Sequence, residues 1–263
     1  MNYIERAGKE KLIMGILNVT PDSFSDGGEF LNTDKAIEKA VSMINDGVDI
    51  IDIGGQSTRP GFSRISASEE MKRIEPILNT IKQISTIPIS VDTFYSAVAI
   101  KSLELGADII NDVSGVIEEQ TIKAVSESGK YLVITCNKEL IGNDIVSDTA
   151  EMFDNMAEKA DSLGLKKEKL IFDPGFGFHK TFKQDAALLK NIGKLTQYNP
   201  LLIGLSRKRI IGALSGIDNP INRDDASLTA AIYAYIKGVN IVRTHNVGVT
   251  KKAFDILGRI NEQ

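Results

Sequence analysis

The sequence has few of the residues that build disulfides and transition-metal sites: one cysteine (Cys136), two histidines and no tryptophan in 263 residues. A single thiol excludes an intrachain disulfide framework and a four-thiolate zinc site. The two histidines give little support to a dedicated transition-metal cage, since one of them, His179, stands far from the predicted strand ends. We therefore expect no dedicated transition-metal cage.

The chain also lacks a long apolar run and an excess of positive charge. No segment approaches membrane-spanning length, and the first residues carry charges where a secretory signal needs apolar residues. A formal charge of −4 provides no global positive field to attract nucleic acid or an anionic membrane. We expect a cytoplasmic enzyme or binding protein with no nucleic-acid partner and no membrane partner.

Short apolar runs rich in β-branched residues alternate with longer segments of helical periodicity. The runs are KLIMGIL (11–17), VDIIDI (48–53), IPISV (87–91), DIIND (108–112), YLVIT (131–135), KLIFD (169–173), LLIGLS (201–206) and NIVRTH (240–245). Runs that are apolar nearly throughout are typical of parallel strands covered on both faces. Eight such units without a linker predict a single-domain (β/α)₈ TIM barrel over residues 1–263, rather than an open doubly wound sheet.

Functional side chains of such a barrel lie where its strands end. Almost every predicted exit carries a polar or ionisable group, in the order Asn18, GGQSTRPG (54–61), SVDT (90–93), INDVSG (110–115), TCNK (135–138), DPGFGF (173–178), SRKR (206–209) and RTHN (243–246). Asp and Asn favour turns in any protein, so one exit alone shows little. The eight exits together predict an active face.

Three of these exits suit a flat heterocycle with an amino-amide edge. Asp92, Asn111 and Asp173 end different strands and converge, carboxylates accept hydrogen bonds, and an amide both donates and accepts. Lys208 adds a donor. A metal cluster is the alternative use of the carboxylates, and the shortage of histidine disfavours it.

Two aromatic residues stand in the glycine-rich DPGFGF turn, and either Phe176 or Phe178 suits stacking on a ring. The alternative is that one of them only fills the top of the barrel. This alternative is stronger for Phe176 than for Phe178.

Positive side chains gather at the same exits in an otherwise acidic protein, which predicts a site for a polyanion such as pyrophosphate. They are Arg59, Lys208, Arg209, Arg243 and His245. A nucleic-acid patch at SRKR is the weaker alternative. The neutral oxygen of Asn18 suits a Mg²⁺ ion that keeps most of its waters and bridges the phosphates. No general base is conspicuous, and a neutral arylamine nucleophile needs only positioning and a good leaving group.

The ordered motifs LIMGILNVTPDSFSDGG, GGQSTRPG, SVDT, IND, DPGFGF, SRK and RTHNV resemble those of the dihydropteroate synthases, the pterin-binding barrel enzymes of folate biosynthesis that sulfonamides target. The resemblance spans nearly the whole chain. It implies a transferase that joins 4-aminobenzoate to 6-hydroxymethyl-7,8-dihydropterin diphosphate, releasing pyrophosphate and 7,8-dihydropteroate. It also implies a Mg²⁺ cofactor, a dissociative substitution and a homodimer.

Residue roles follow from the same resemblance. The implied catalytic residues are Asp92, Asn111, Asp173 and Lys208. The implied pterin contacts are these four with Val113, Phe178 and Gly204. The implied 4-aminobenzoate contacts are Phe24, Thr58, Pro60, Lys208 and Arg209. The implied pyrophosphate contacts are Asn18, Thr58, Arg59, Ser206, Arg243 and His245, and the implied Mg²⁺ ligand is Asn18, with Asp26 as a second candidate.

One motif departs from the family. Many relatives end strand five in a Met-His-Met type run with a methionine packed on the pterin, whereas this chain reads Thr135, Cys136, Asn137. The departure predicts a more polar or looser pterin floor, and Cys136 is interpreted as a small packing residue rather than a catalytic thiol. Two alternatives stay open: a pterin-binding methyltransferase that serves a corrinoid protein, and a non-catalytic binder of pterin or diphosphate.

Overall fold

A computed structural model describes residues 6–7, 10–20, 29–56, 64–140, 142 and 144–261. Strands and helices alternate along these residues. The strands are β1 (Leu12–Asn18), β2 (Ile50–Gly54), β3 (Ile89–Thr93), β4 (Ile109–Asp112), β5 (Tyr131–Thr135), β6 (Leu170–Asp173), β7 (Leu202–Ile203) and β8 (Ile241–Thr244). The α-helices are α1 (Glu29–Asn45), α2 (Ala67–Ile84), α3 (Ser96–Glu104), α4 (Glu119–Ser128), α5 (Ile145–Ser162), α6 (Phe182–Lys190), α7 (Arg209–Ser215), α8 (Asp224–Ile236) and α9 (Val247–Asn261).

All eight predicted strands are present, and the parallel sheet has the order β6-β5-β4-β3-β2-β1-β8-β7. A parallel bridge between Phe172 and Leu201 joins the two ends, and Phe172 N donates to Pro200 O at 3.0 Å. The sheet is therefore a nearly closed barrel, and the predicted TIM-barrel architecture is confirmed. Only β7 is much shorter than its predicted run, and Pro200 just before it has no N–H to give to a ladder.

Strand residues alternate between two apolar clusters, one inside the barrel and one between barrel and helices. The interior cluster contains Leu12, Met14, Ile50, Ile109, Val133, Ile171 and Ile241 among others. The outer cluster contains the neighbouring positions, such as Ile13, Ile51, Ile110, Ile134 and Phe172, together with the apolar faces of the helices. Because side chains alternate along a strand, this pattern identifies which strand-end residues face the barrel axis.

The interior changes from apolar to polar toward the carboxyl ends of the strands. Asp52 and Asn111 each follow a residue of the interior cluster by the two-residue step of their strand, as Asp173 and Arg243 do on theirs, and Asp92 follows the buried Ser90 by the same step. The apolar lower layers stabilise the barrel, and the polar upper layer is free to bind a ligand. None of the helices in the described residues combines the length and the apolarity needed to cross a membrane.

Candidate active site

The strand register places four predicted exits side by side at the barrel mouth. Asn18 on β1 is in register with Gly54 on β2, Gly54 with Asp92 on β3, and Asp92 with Asn111 on β4. A Cβ on Gly54 would lie 3.4 Å from Asn18 Oδ1 and 3.7 Å from Asp92 Cβ. The glycine therefore leaves the amide and the carboxylate close to each other across the strand between them.

Arg243 links two carboxylates across the barrel axis. Its Nε donates to Asp52 Oδ2 and its Nη2 donates to Asp92 Oδ2, each at 2.6 Å. Asn111 Nδ2 also donates to Asp52 Oδ2, at 3.2 Å. Asp52, Asp92 and Asn111 are all buried. The sequence prediction missed Asp52, which stands inside the run VDIIDI rather than at a strand exit.

Several buried oxygens of this mouth have no hydrogen-bond partner within the described part of the chain. They are Asp52 Oδ1, Ser90 Oγ, Asp92 Oδ1, Asn111 Oδ1 and Thr135 Oγ1. Leaving a buried polar group unpaired costs about 1–3 kcal/mol, so a concentration of such atoms in one place indicates a polar ligand site.

Burial changes the ionisation of the acids at the mouth. It raises the pKa of Asp92 to about 7, with Arg243 acting against the shift and the nearby Asp52 adding to it. It also raises the pKa of Asp173, opposed by Lys208 and by the N–H of Gly175, which donates to Asp173 Oδ1 at 2.8 Å. Burial therefore disfavours the charged forms of Asp92 and Asp173, and the neighbouring cations Arg243 and Lys208 act in favour of them.

The basic side chain of Lys208 lies between the acids of the mouth and an aromatic ring. Its Nζ donates to Phe176 O at 2.6 Å and lies 4.7 Å from the centroid of the Phe178 ring. Burial lowers the pKa of Lys208 to about 8, while Asp173 acts in the opposite direction. A Cβ on Gly204 would lie 3.8 Å from both Lys208 Nζ and Arg243 Cδ, so this glycine forms an open wall next to both cations.

The two phenylalanines of DPGFGF differ in burial and in surroundings. Phe176 is fully buried in the outer cluster, so it packs between the barrel and the helices rather than filling the top of the barrel, whereas Phe178 is half-buried beside Lys208. Gly175 has a φ of +68°, and a Cβ there would lie 2.2 Å from Cys136 O, so the turn requires glycine.

A buried lysine that the sequence prediction passed over fixes this turn. Lys180 Nζ donates to Cys136 O (2.8 Å), Gly175 O (3.1 Å) and Phe178 O (3.3 Å). On the other side of the turn, Gly177 N donates to Asp185 Oδ1 at 3.1 Å. The turn that presents Phe178 is therefore held by side chains from outside it. Burial raises the pKa of the Cys136 thiol, which agrees with a packing role.

The residues predicted to bind a polyanion do not all lie close together in the structure. Ser206 Oγ lies 2.9 Å from His245 Nδ1, on the same side of the barrel as Arg243. Arg209 is exposed as the first residue of α7, and Arg207 is paired with Asp224. Val113 is buried, and its carbonyl accepts from Asn137 Nδ2 at 2.5 Å. Other predicted contacts lie outside the described residues: Phe24, Asp26, Thr58, Arg59 and Pro60.

Few of the described side chains are arranged to coordinate a metal ion. Over the described ranges, no group of three or more His, Cys, Asp or Glu side chains is arranged to hold a metal ion. The oxygen of Asn18, half-buried at the end of β1, is a donor of the kind that Mg²⁺ accepts. These residues fit an ion held mainly by water and by oxygens of a phosphorylated ligand.

Comparisons with known proteins agree on one family. The family described as pterin binding enzyme matches residues 14–245. The dihydropteroate synthase of Streptococcus pyogenes serotype M3 is 40% identical over 94% of this chain and 95% of its own length. A dihydropteroate synthase structure from Clostridium difficile, solved in the presence of pteroic acid, superposes with a TM-score of 0.92 at 39% identity and covers 97% of this chain and 98% of its own. The Yersinia pestis dihydropteroate synthase in complex with a sulfonamide drug has a TM-score of 0.88 at 35% identity, covering 96% of this chain and 94% of its own.

Proposed function

This chain belongs to the dihydropteroate synthase family of pterin-binding enzymes, and on that premise we propose how its barrel mouth carries out the family's reaction. It is an enzyme of folate biosynthesis that condenses 6-hydroxymethyl-7,8-dihydropterin diphosphate with 4-aminobenzoate, giving 7,8-dihydropteroate and pyrophosphate. The observation that carries the assignment of roles is the cluster of buried, unpartnered acceptor oxygens beside Arg243 and Lys208. An amino-amide heterocycle supplies the missing donors.

The pterin end of the site is formed by Asp92, Asn111 and Asp173. The Oδ1 atoms of Asp92 and Asn111, which have no partner among the described residues, accept N–H groups of the ring, and the Asp173 carboxylate accepts further N–H groups. Lys208 donates to a ring oxygen or nitrogen, and Phe178 packs against the ring face. In their ionised forms, which Arg243 and Lys208 stabilise, the two aspartates also provide negative charge next to the methylene carbon, where positive charge develops as the diphosphate departs.

The diphosphate end is formed by Arg243, Ser206 and His245. Arg243 uses two N–H groups on Asp52 and Asp92, and the remaining donors of its guanidinium are available to phosphate oxygens. Mg²⁺, when bound at the oxygen of Asn18, supplies positive charge that neutralises the leaving diphosphate. Nucleophilic attack then needs no base from this chain, since the arylamine is neutral at pH 7.

We assign the 4-aminobenzoate end to the rim of the mouth. Arg209 is exposed there and suits a carboxylate, and Lys208 lies one residue away on the pterin side. Phe24, Thr58 and Pro60 keep their predicted roles as contacts of this substrate.

One assay tests the function against its alternatives. Purified protein is mixed with Mg²⁺, the dihydropterin diphosphate and 4-aminobenzoate, and pyrophosphate and dihydropteroate are measured. We expect both products in equal amounts, inhibition by a sulfonamide that competes with 4-aminobenzoate, and loss of turnover on chelation of Mg²⁺. Pterin binding without any product at saturating substrates would instead favour the methyltransferase or the non-catalytic binder.

The activity should depend on pH through Lys208. Because burial lowers the pKa of this lysine to about 8, its cationic form is present below that value and is lost as the pH rises through it. We expect kcat/KM for the pterin substrate to fall on the alkaline side with a midpoint near this pKa. Lys208→Arg, whose guanidinium stays charged, is the control, and it should have lower activity but no alkaline limb in this range. An identical limb in both proteins would assign the titration to another group.

We also propose that the enzyme is a homodimer formed through its last helices. Ile236, Ile256 and Ile260 expose 67%, 59% and 62% of their surface on α8 and α9. Apolar side chains concentrated on one part of a surface favour association. Light scattering should give about twice the mass of one chain, and Ile256→Glu should reduce it. A monomeric mass for the unmodified protein at micromolar concentration would overturn this proposal.

A further inference from the structure

Thr135 lies at the barrel mouth between two of the pterin-binding strands. It is the last residue of β5 and it is buried. Its neighbours Ile134 and Cys136 belong to the outer cluster, whereas Val133 belongs to the interior cluster. Because side chains alternate along a strand, that of Thr135 faces the barrel interior.

The register fixes its neighbours in the interior. Thr135 is in register with Asp173 on β6, and the preceding interior residue, Val133, is in register with Asn111 on β4. Thr135 therefore stands on the strand between these two residues. Its side chain therefore lies between the amide of Asn111 and the carboxylate of Asp173.

The Thr135 hydroxyl has no hydrogen-bond partner in the part of the chain that the structure describes. The same holds for Asp92 Oδ1 and Asn111 Oδ1, on the two strands before it. Unpartnered oxygens thus occur on three consecutive strands at the level of the mouth. A hydroxyl both donates and accepts, so it can pair with a ring nitrogen, an amino group or an oxo group of a heterocycle.

The backbone around Thr135 is fixed on both sides. Asn137 N donates to Thr135 O at 2.9 Å, and Cys136 N donates to Asp173 O at 2.8 Å. Lys180 binds the carbonyl of Cys136 at 2.8 Å. These bonds hold the strand end against the Asp173 strand, so the hydroxyl is presented to the interior with little freedom beyond its own rotation.

We propose that Thr135 is a further pterin-binding residue, whose hydroxyl hydrogen-bonds the heterocycle between Asn111 and Asp173. The proposal rests on the proposed function, since it takes the pterin as the ligand of the mouth. It gives the polar departure at strand five a positive role: the exit Thr135-Cys136-Asn137 supplies a contact to the substrate instead of only loosening the pocket floor. Thr135 thereby sets affinity and selectivity for the heterocycle.

The test uses Thr135→Val, which keeps the shape and removes the hydroxyl, with Thr135→Ser as the variant that keeps the hydroxyl. The dissociation constant of the dihydropterin diphosphate is measured by calorimetry in the presence of Mg²⁺. One hydrogen bond contributes about 1 kcal/mol, so Thr135→Val should raise this constant about fivefold. Thr135→Ser should stay within about twofold of the unmodified protein, and KM for 4-aminobenzoate should not change in either.

A second readout separates ligand binding from packing. Without ligand, Thr135→Val should unfold at the same temperature as the unmodified protein or at a higher one, because the buried unpaired hydroxyl is gone. Weaker binding together with unchanged or greater stability is the expected combination. Pterin binding by Thr135→Val as tight as that of the unmodified protein would overturn the inference. If the unmodified protein itself fails to bind the pterin, the proposed function fails first.

Discussion

Replacement of Asp173 by asparagine is expected to lower kcat/KM for the dihydropterin diphosphate about a thousandfold while the fold stays intact. The variant loses charge-assisted hydrogen bonds to the pterin, which contribute about 1.5–3 kcal/mol each. In addition, the amide N–H of the asparagine is turned toward donors of the ring, where it cannot accept a hydrogen bond. The side chain ends β6 and is buried at the mouth. Its Oδ1 accepts from Gly175 N, a bond that the asparagine oxygen can still accept. The loss should therefore appear in pterin binding and turnover rather than in the DPGFGF turn.

The chain contains a matched control for this experiment. Asp112 is also buried at the end of a strand, burial also raises its pKa, and its Oδ1 also accepts from a backbone N–H two residues later, that of Ser114, at 2.8 Å. It is in register with Ile134 of the outer cluster, so it points away from the mouth. Asp112→Asn should change kcat/KM only a few-fold. Equal losses in the two variants would show that Asp173 acts through the structure of the strand end, against the assigned contact.

The local pattern of the sequence was enough to predict the strands and their polar exits. Each strand is a short apolar run followed by a polar residue, and both signals lie within a few neighbouring positions. The mouth residues Asp92, Asn111 and Asp173 were found in this way, because the carboxyl end of every barrel strand faces the same side.

Residues inside the runs were harder to interpret. The run VDIIDI contains Asp49 and Asp52, and the sequence does not show which one faces the barrel interior. The structure places Asp49 at the amino end of β2, where it accepts from Ile13 N at 3.0 Å, and Asp52 beside Arg243. That choice depends on the phase of the strand, and a run buried on both faces carries no alternation to reveal it.

Contacts between distant segments were also beyond local patterns. SRKR looks like one basic patch, yet Arg207 pairs with Asp224, Lys208 turns into the mouth and Arg209 is exposed. Lys180 gives no local signal either, since its acceptors include the strand-five exit 44 residues earlier in the chain. Such assignments need the tertiary structure, because the partners are brought together only by closure of the barrel.

The second large effect is expected from Arg243→Met, which should lower the free energy of unfolding by about 3–5 kcal/mol at pH 8 and also abolish turnover. Arg243 is the cation bonded to both Asp52 and Asp92, which are 0% and 8% exposed. Removing it leaves two buried carboxylates facing each other without a counter-charge. Guanidinium denaturation followed by circular dichroism measures the change. The dependence of the unfolding free energy on denaturant concentration should be the same in the variant and in the unmodified protein, as expected when only stability changes.

The control for Arg243→Met is Arg207→Met, which removes an arginine from an ion pair of similar geometry nearer the surface. Arg207 and Asp224 are joined at 2.6 Å, and each side chain is 26% exposed, so its loss should change stability by about 1 kcal/mol or less.

Acid should reduce the penalty of Arg243→Met, because the pKa of Asp92 lies at about 7 even with its partner present and rises further without it. Below that pH the neutral acid no longer needs the guanidinium, so the difference in stability between variant and unmodified protein should shrink from pH 8 to pH 5. Asp52→Asn added to Arg243→Met should recover part of the loss at pH 8 by removing one of the two charges. A penalty that is independent of pH, with no recovery in the double variant, would mean that Arg243 stabilises the barrel by packing alone and that the paired carboxylates do not set the charge of the mouth.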